Sequence, residues 1–177
     1  LCVQDEAADR VFEMLEGAVR ELHVGNPAQL AVDVGPVIDA EAQATIQRHI
    51  EALRAKGCRV VQPAAAQADV LARGSFVPPT LIEIHSLAEL QREVFGPVLH
   101  LLRYRREQLD ALLGQVQATG YALTMGLHTR IDETIARVVE QSRAGNLYVN
   151  RNMVGAVVGV QPFGGEALSG TGPKAGG

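Results

Sequence analysis

The chain has 177 residues, 47% of them hydrophobic and 20% charged, with a formal net charge of −4. This size and apolar content suit a globular domain with a core of its own and exclude a disordered segment, while scattered, mildly acidic charge argues against a nucleic-acid surface, which needs a clustered basic face. No apolar run approaches the ~20 residues of a bilayer span, and two distant cysteines make no disulfide framework. A cytoplasmic protein is therefore expected, and Leu1, which is neither a start methionine nor the opening of a leader, reads as the interior of a longer polypeptide.

Asp5 opens a helix whose apolar residues Val11, Phe12, Leu15, Val19 and Leu22 recur at helical spacing, with Gly25-Asn26-Pro27 as the stop. Asp39 starts a second helix, with Ile46, Ile50 and Leu53 on one face and Gly57 at its end, leading into a short strand from Arg59. Pro78-Pro79 breaks any ladder, after which residues 80–84 and 98–104 read as strands. The basic run Arg103-Tyr104-Arg105-Arg106 then reads as a solvated connection. A third helix runs from about Glu107 to near Gly120, and 123–128 is the next strand. Thr129-Arg130-Ile131-Asp132 has the form of a capping box for a fourth helix, which Gly145 ends, and 146–150 closes the series as a strand.

Helices alternating with short apolar strands predict an α/β fold, a mostly parallel sheet covered by helices, since parallel strands need crossover connections. Residues 1–152 are expected to form the body of the domain, and 153–177 a glycine-rich loop and tail belonging to it. With eight glycines and no helical period, that tail reads as an irregular surface segment of the kind that carries function.

The residues that could carry chemistry gather in three places. In Glu93-Val94-Phe95-Gly96-Pro97, glycine and proline fix a turn that holds a carboxylate beside an aromatic ring; the plain structural alternative is an exposed turn carboxylate and a core phenylalanine. Asn150-Arg151-Asn152 ends a strand, where short polar side chains commonly bind turn backbone. At Gly155-Ala156, small residues let backbone N–H groups approach an anion closely. Gly170 to Ala175 matches a dinucleotide fingerprint only on paper, because neither the strand before it nor the helix after it is present, and Thr171 stands where a P-loop needs lysine. Cys2 sits in a strand and Cys58 at a strand start, both as small hydrophobes rather than nucleophiles. The five histidines are scattered, none has a partner at catalytic or metal spacing, and no metal site is expected.

Taken together, Glu93 to Val98, Gly145 to Asn150 and Pro162-Phe163-Gly164-Gly165 to Ser169-Gly170 resemble the back half of an NAD-dependent aldehyde dehydrogenase catalytic domain. The wording Thr119-Gly120-Tyr121-Ala122-Leu123-Thr124, Gly155 to Phe163 and Ser169 to Lys174 is similar to the glutamate semialdehyde (pyrroline-5-carboxylate) dehydrogenase branch, as found in bifunctional proline-utilisation flavoproteins. The resemblance runs from Leu1 to Gly177. It implies that Glu93 binds the nicotinamide ribose of NAD and Phe95 contacts the ring, that Gly155 and Ala156 anchor the carboxylate of the substrate, and that Phe163 packs on its aliphatic chain.

The same resemblance places the cysteine nucleophile, the glutamate base and the nucleotide-binding domain before Leu1, leaving no catalytic residue in this chain. A C-terminal fragment of the catalytic domain, inactive by itself, is the resulting expectation. Its partners would be glutamate semialdehyde, the remainder of the same polypeptide and a second subunit of a homo-oligomer, with FAD confined to a separate proline dehydrogenase domain if the protein is bifunctional. The alternative is a non-catalytic module of the same family serving assembly or channelling.

Overall fold

The computed structural model describes residues 1–63, 68–155 and 159–175. They cluster into two compact units, Leu1–Arg106 and Glu107–Gly177.

The first unit is built on a four-stranded sheet in the order β1-β4-β3-β2, with β1 at Cys2–Gln4, β2 at Arg59–Val61, β3 at Thr80–Ile84 and β4 at Val98–Tyr104. β1, β4 and β3 run parallel, and β2 pairs antiparallel to β3 at the edge. The mostly parallel α/β sheet expected from the alternation of elements is thus present, with one reversed strand. Helix α1, Asp5–Glu21, turns its apolar stripe onto this sheet, and Phe12, Val19, Leu81 and Leu101 form a core cluster. Burying each such side chain is worth about 1.5–3 kcal/mol.

Helix α2, Ala40–Ala55, is fixed at both ends by its sequence. The Asp39 carboxylate accepts the Ala42 N–H at 2.7 Å. At the other end Gly57 adopts φ 83°, and the N–H groups of Gly57 and Cys58 return to the carbonyls of Arg54 and Leu53 at 3.0 and 3.1 Å, closing the helix as a Schellman motif. A short helix α3, Ala68–Leu71, precedes β3.

One expectation changes here. Arg103 lies within β4, bonded to Glu83 and, at 2.7 Å, to Asp9, so its guanidinium is pinned between sheet and helix rather than solvated in a connection. These two carboxylates hold it protonated still more firmly than usual.

The second unit contains α4, Leu109–Ala118, and α5, Asp132–Gln141. Its strands are β5, Tyr121–Ala122, β6, Thr124–Leu127, β7, Asn146–Val149, and β8, Glu166–Ala167. β6 and β7 pair in parallel and β5 with β8 antiparallel. Thr129 is not the cap of α5. Its hydroxyl accepts the Ile131 N–H at 3.2 Å, forming a turn, and the helix starts three residues later behind Ile131, whose side chain offers no cap. Nor does Gly145 end α5, which stops at Gln141. Gly145 instead begins the run into β7 at a point where a Cβ would collide with the carbonyl of Gly164.

Candidate functional site

The Glu93 segment belongs to the first unit and connects a 3₁₀ turn at Leu87–Glu89 to β4. Two consecutive tight turns shape it, Gly96 N–H to Val94 carbonyl at 3.0 Å and Val98 N–H to Gly96 carbonyl at 2.8 Å, and the Thr80 N–H ties Pro97 to β3 at 2.9 Å. Gly96 sits against α2 so closely that a Cβ there would run into the side chain of Ile46. Between the segment and α2 lies an open cleft of about 330 Å³ lined by Asp39, Thr45, His49, Arg92, Glu93 and Phe95 among others.

Glu93 is exposed at this cleft and Phe95 is 85% exposed, which rules out the core phenylalanine of the plain alternative. The turn thus holds an aromatic ring in solvent beside a carboxylate. A carboxylate accepts from a ribose diol and a ring face suits a nicotinamide, so the donor set fits the nicotinamide half of NAD. The wall contributed by α2 was not legible in the sequence, since Thr45 and His49 lie about fifty residues from Glu93.

His49 and His100 meet through their Nε2 atoms at 2.8 Å with rings near perpendicular. Burial, then the neighbouring ring, pushes His100 down to about 4, and burial together with Arg92 and Lys56 lowers His49. A third histidine, His85, reaches Cys58 and Glu89. Three of the histidines read in the sequence as scattered thus find partners, His49 with His100 and His85 with Cys58, across chain separations of 51 and 27 residues.

The cysteines match their sequence reading. Cys2 is half-buried in β1, Cys58 is buried, and burial pushes both thiols up, away from the thiolate that nucleophilic attack requires.

In the second unit Asn150 adopts φ 55° and clamps the preceding loop, its side chain accepting from the Thr129 N–H at 3.0 Å and donating to the Thr129 carbonyl at 2.9 Å. This is the turn-binding role expected of a short polar side chain at a strand end. Gly155 is half-buried, and among the described residues a Cβ there would meet nothing within 4 Å. Ala156 lies outside the described residues. Phe163 is half-buried and bridges to Ala175 through paired backbone bonds of 2.8 and 3.0 Å.

The tail around Phe163 is more ordered than its composition suggests. Asn146 donates to the Pro162 carbonyl at 2.8 Å and Gln161 to the Tyr148 hydroxyl at 2.9 Å. A Cβ on Gly165 would fall 2.7 Å from the Ala122 carbonyl, and Ser169 accepts the Ala122 N–H at 2.9 Å. The glycines here let backbone lie on backbone. Gly170 to Ala175 leads to the bridge at Ala175 and not into a helix, in agreement with rejecting the dinucleotide fingerprint.

A sheet of this topology with these motifs defines a class. The aldehyde dehydrogenase family model matches residues 1–177, and the chain belongs to the aldehyde dehydrogenase family. Among particular relatives, it is 62% identical over its full length to the bifunctional protein PutA of Klebsiella aerogenes, of which it covers 14%. It is 36% identical over 99% of its length to 1-pyrroline-5-carboxylate dehydrogenase of Geobacillus kaustophilus, covering 32%. A crystal structure of proline utilization A from Bradyrhizobium japonicum superposes with a TM-score of 0.91 at 48% identity, over 99% of this chain and 18% of that one. The chain thus spans about one seventh of the PutA relatives it matches. Among the described residues no helix is long and apolar enough to cross a membrane.

Proposed function

We propose that this chain is part of an NAD-dependent dehydrogenase that oxidises L-glutamate γ-semialdehyde to glutamate in proline catabolism, and that by itself it is inactive. The observation that carries the reading is the exposed Glu93–Phe95 pair on an open cleft, in a chain 62% identical throughout to a PutA protein. Glu93 accepts from the nicotinamide ribose and Phe95 lies against the ring, which accepts hydride when NAD is bound. Gly155 and Ala156 present backbone donors to the substrate carboxylate, and Phe163 packs along its methylene chain. Neither cysteine of the chain is placed or ionised for attack on an aldehyde, so the nucleophile and base belong to other parts of the polypeptide. A second subunit and, in a bifunctional protein, an FAD-containing proline dehydrogenase domain complete the expected surroundings, in the cytoplasm.

The test uses the full-length protein. Among the described residues a Cβ at position 155 meets nothing, so Gly155→Val is expected to keep the fold and to obstruct what approaches the loop. It is expected to lower kcat/KM for glutamate semialdehyde by about 10–100-fold, the cost of about 1.5–3 kcal/mol for charge-assisted bonds, and to spare a neutral aldehyde of similar length. Phe163→Ala is expected to impair both. Equal losses on the charged and neutral substrates with Gly155→Val would leave an aldehyde dehydrogenase without the carboxylate-anchor role.

A further inference from the structure

Cys58, His85 and Glu89 lie outside the cleft of Glu93 and Phe95 and have no part in the chemistry above. Each is held by an independently fixed piece of backbone. Cys58 is the residue whose N–H closes the Schellman motif of α2. His85 directly follows β3, and Glu89 ends the 3₁₀ turn that Ser86 caps by accepting the Ala88 N–H at 3.2 Å. The antiparallel register of β2 on β3, Arg59 opposite Glu83, brings the two ends together.

One ligand atom of each of the three side chains lies within 4.8 Å of the other two. Cys58 Sγ is 3.7 Å from His85 Nδ1 and 3.6 Å from Glu89 Oε2, and His85 Nδ1 is 3.5 Å from Glu89 Oε1. The last separation is too long for a nitrogen–oxygen hydrogen bond, which falls at about 2.7–3.2 Å. Glu89 meets the thiol with one carboxylate oxygen and the imidazole with the other, and the three separations lie close to the edges of a coordination tetrahedron, about 3.3–3.6 Å for bonds of about 2.3 Å to sulfur and about 2.0–2.2 Å to nitrogen and oxygen. Sulfur, imidazole and carboxylate together form a donor set suited to zinc.

We propose that Cys58, His85 and Glu89 form a three-ligand zinc-class metal site that fastens the C-terminal end of α2 to the segment leading into Glu93. The thiol is buried, the Glu89 side chain is 16% exposed and the His85 side chain 64% exposed, so an ion enters from the His85 side and keeps a water as its fourth ligand. Glu89 is four residues before Glu93, and an occupied site restrains the near end of the cleft-lining segment. This proposal stands independently of the substrate assignment.

The experiment strips the purified full-length protein of metal and titrates it with Co²⁺, then displaces Co²⁺ with Zn²⁺. Wild-type protein is expected to take up Co²⁺ with a thiolate-to-cobalt charge-transfer absorption that Zn²⁺ abolishes. Cys58→Ser should lose that absorption, Cys2→Ser should keep it, and His85→Ala and Glu89→Gln should bind Co²⁺ at least about tenfold more weakly. Zn²⁺ should also raise the melting temperature of the wild type but not of His85→Ala. If Cys58→Ser fails to fold, the His85 and Glu89 variants decide, since both retain the thiol and His85 is exposed. Unchanged Co²⁺ affinity in both, or an absorption that survives in folded Cys58→Ser, overturns the site; so does its absence from the wild type.

Discussion

The segments at Glu93–Pro97 and Pro162–Gly170 are both rich in glycine and proline, each contains one phenylalanine, and neither contains a helix, yet they are built in opposite ways. In the first, two tight turns keep the backbone to itself and push a carboxylate and an aromatic ring out over a cleft. In the second, glycines let backbone lie on backbone, and carbonyl packs on Cα where β5 ends and where the chain enters β7. Glycine and proline accompany a display surface in one place and a backbone laminate in the other. Composition alone therefore does not distinguish the two builds.

The sharpest way to break this comparison is Gly145→Val. If the tail is a laminate, the new side chain collides with the Gly164 carbonyl, and about 3 kcal/mol or more should be lost from the second unit, seen as an early transition in thermal or urea unfolding. A midpoint shifted by less than about 0.5 kcal/mol equivalent would mean the tail merely rests there. Glu93→Ala makes the complementary statement about the display surface. In the full-length protein it should cost about 1.5–3 kcal/mol in NAD affinity or hydride transfer, measured by stopped-flow NADH formation, with thermal stability and thiol labelling of the nucleophile unchanged.

The third prediction concerns His100, the partner of His49 in the cleft wall. His100 is held well below its ordinary value, to about 4, so the unfolded chain binds the proton first on acidification. Stability from this group is present above pH ~6.5 and is lost as the pH falls toward about 4. For a ring this accessible, solvent screening brings the effect to about 1–2 kcal/mol. Replacing the ring by glutamine should flatten the stability profile between those limits, and an unchanged acid limb would show that the pair of histidines carries none of it.

Much of this was legible in the chain itself. Asp39 and Gly57 announce the ends of α2, the apolar stripe of α1 marks its buried face, and the Glu93 motif marks the cleft. What local reasoning missed depends on distant pairing. Thr129 looked like a cap because the spacing to Asp132 is right, but Asn150, 21 residues on, claims that loop instead. Gly145 looked like a stop because its steric partner, Gly164, cannot be seen from a window around it. Arg103 looked solvated because Asp9 is 94 residues away. The cluster of Cys58, His85 and Glu89 was hidden for the same reason, since only the register of β2 on β3 brings its members together.

The place of β1 in the sheet has a consequence for how such a chain is made. Among the described residues its strand neighbour is β4, with Cys2 opposite Leu102, and helix α1 packs against the sheet through Phe12 and Val19. A ribosome adding roughly 5–20 residues per second leaves those first elements without their partner for about 5–20 s. For that interval the apolar stripe of α1 has no β4 to close over, and slower synthesis lengthens the time in which it can associate with another chain instead.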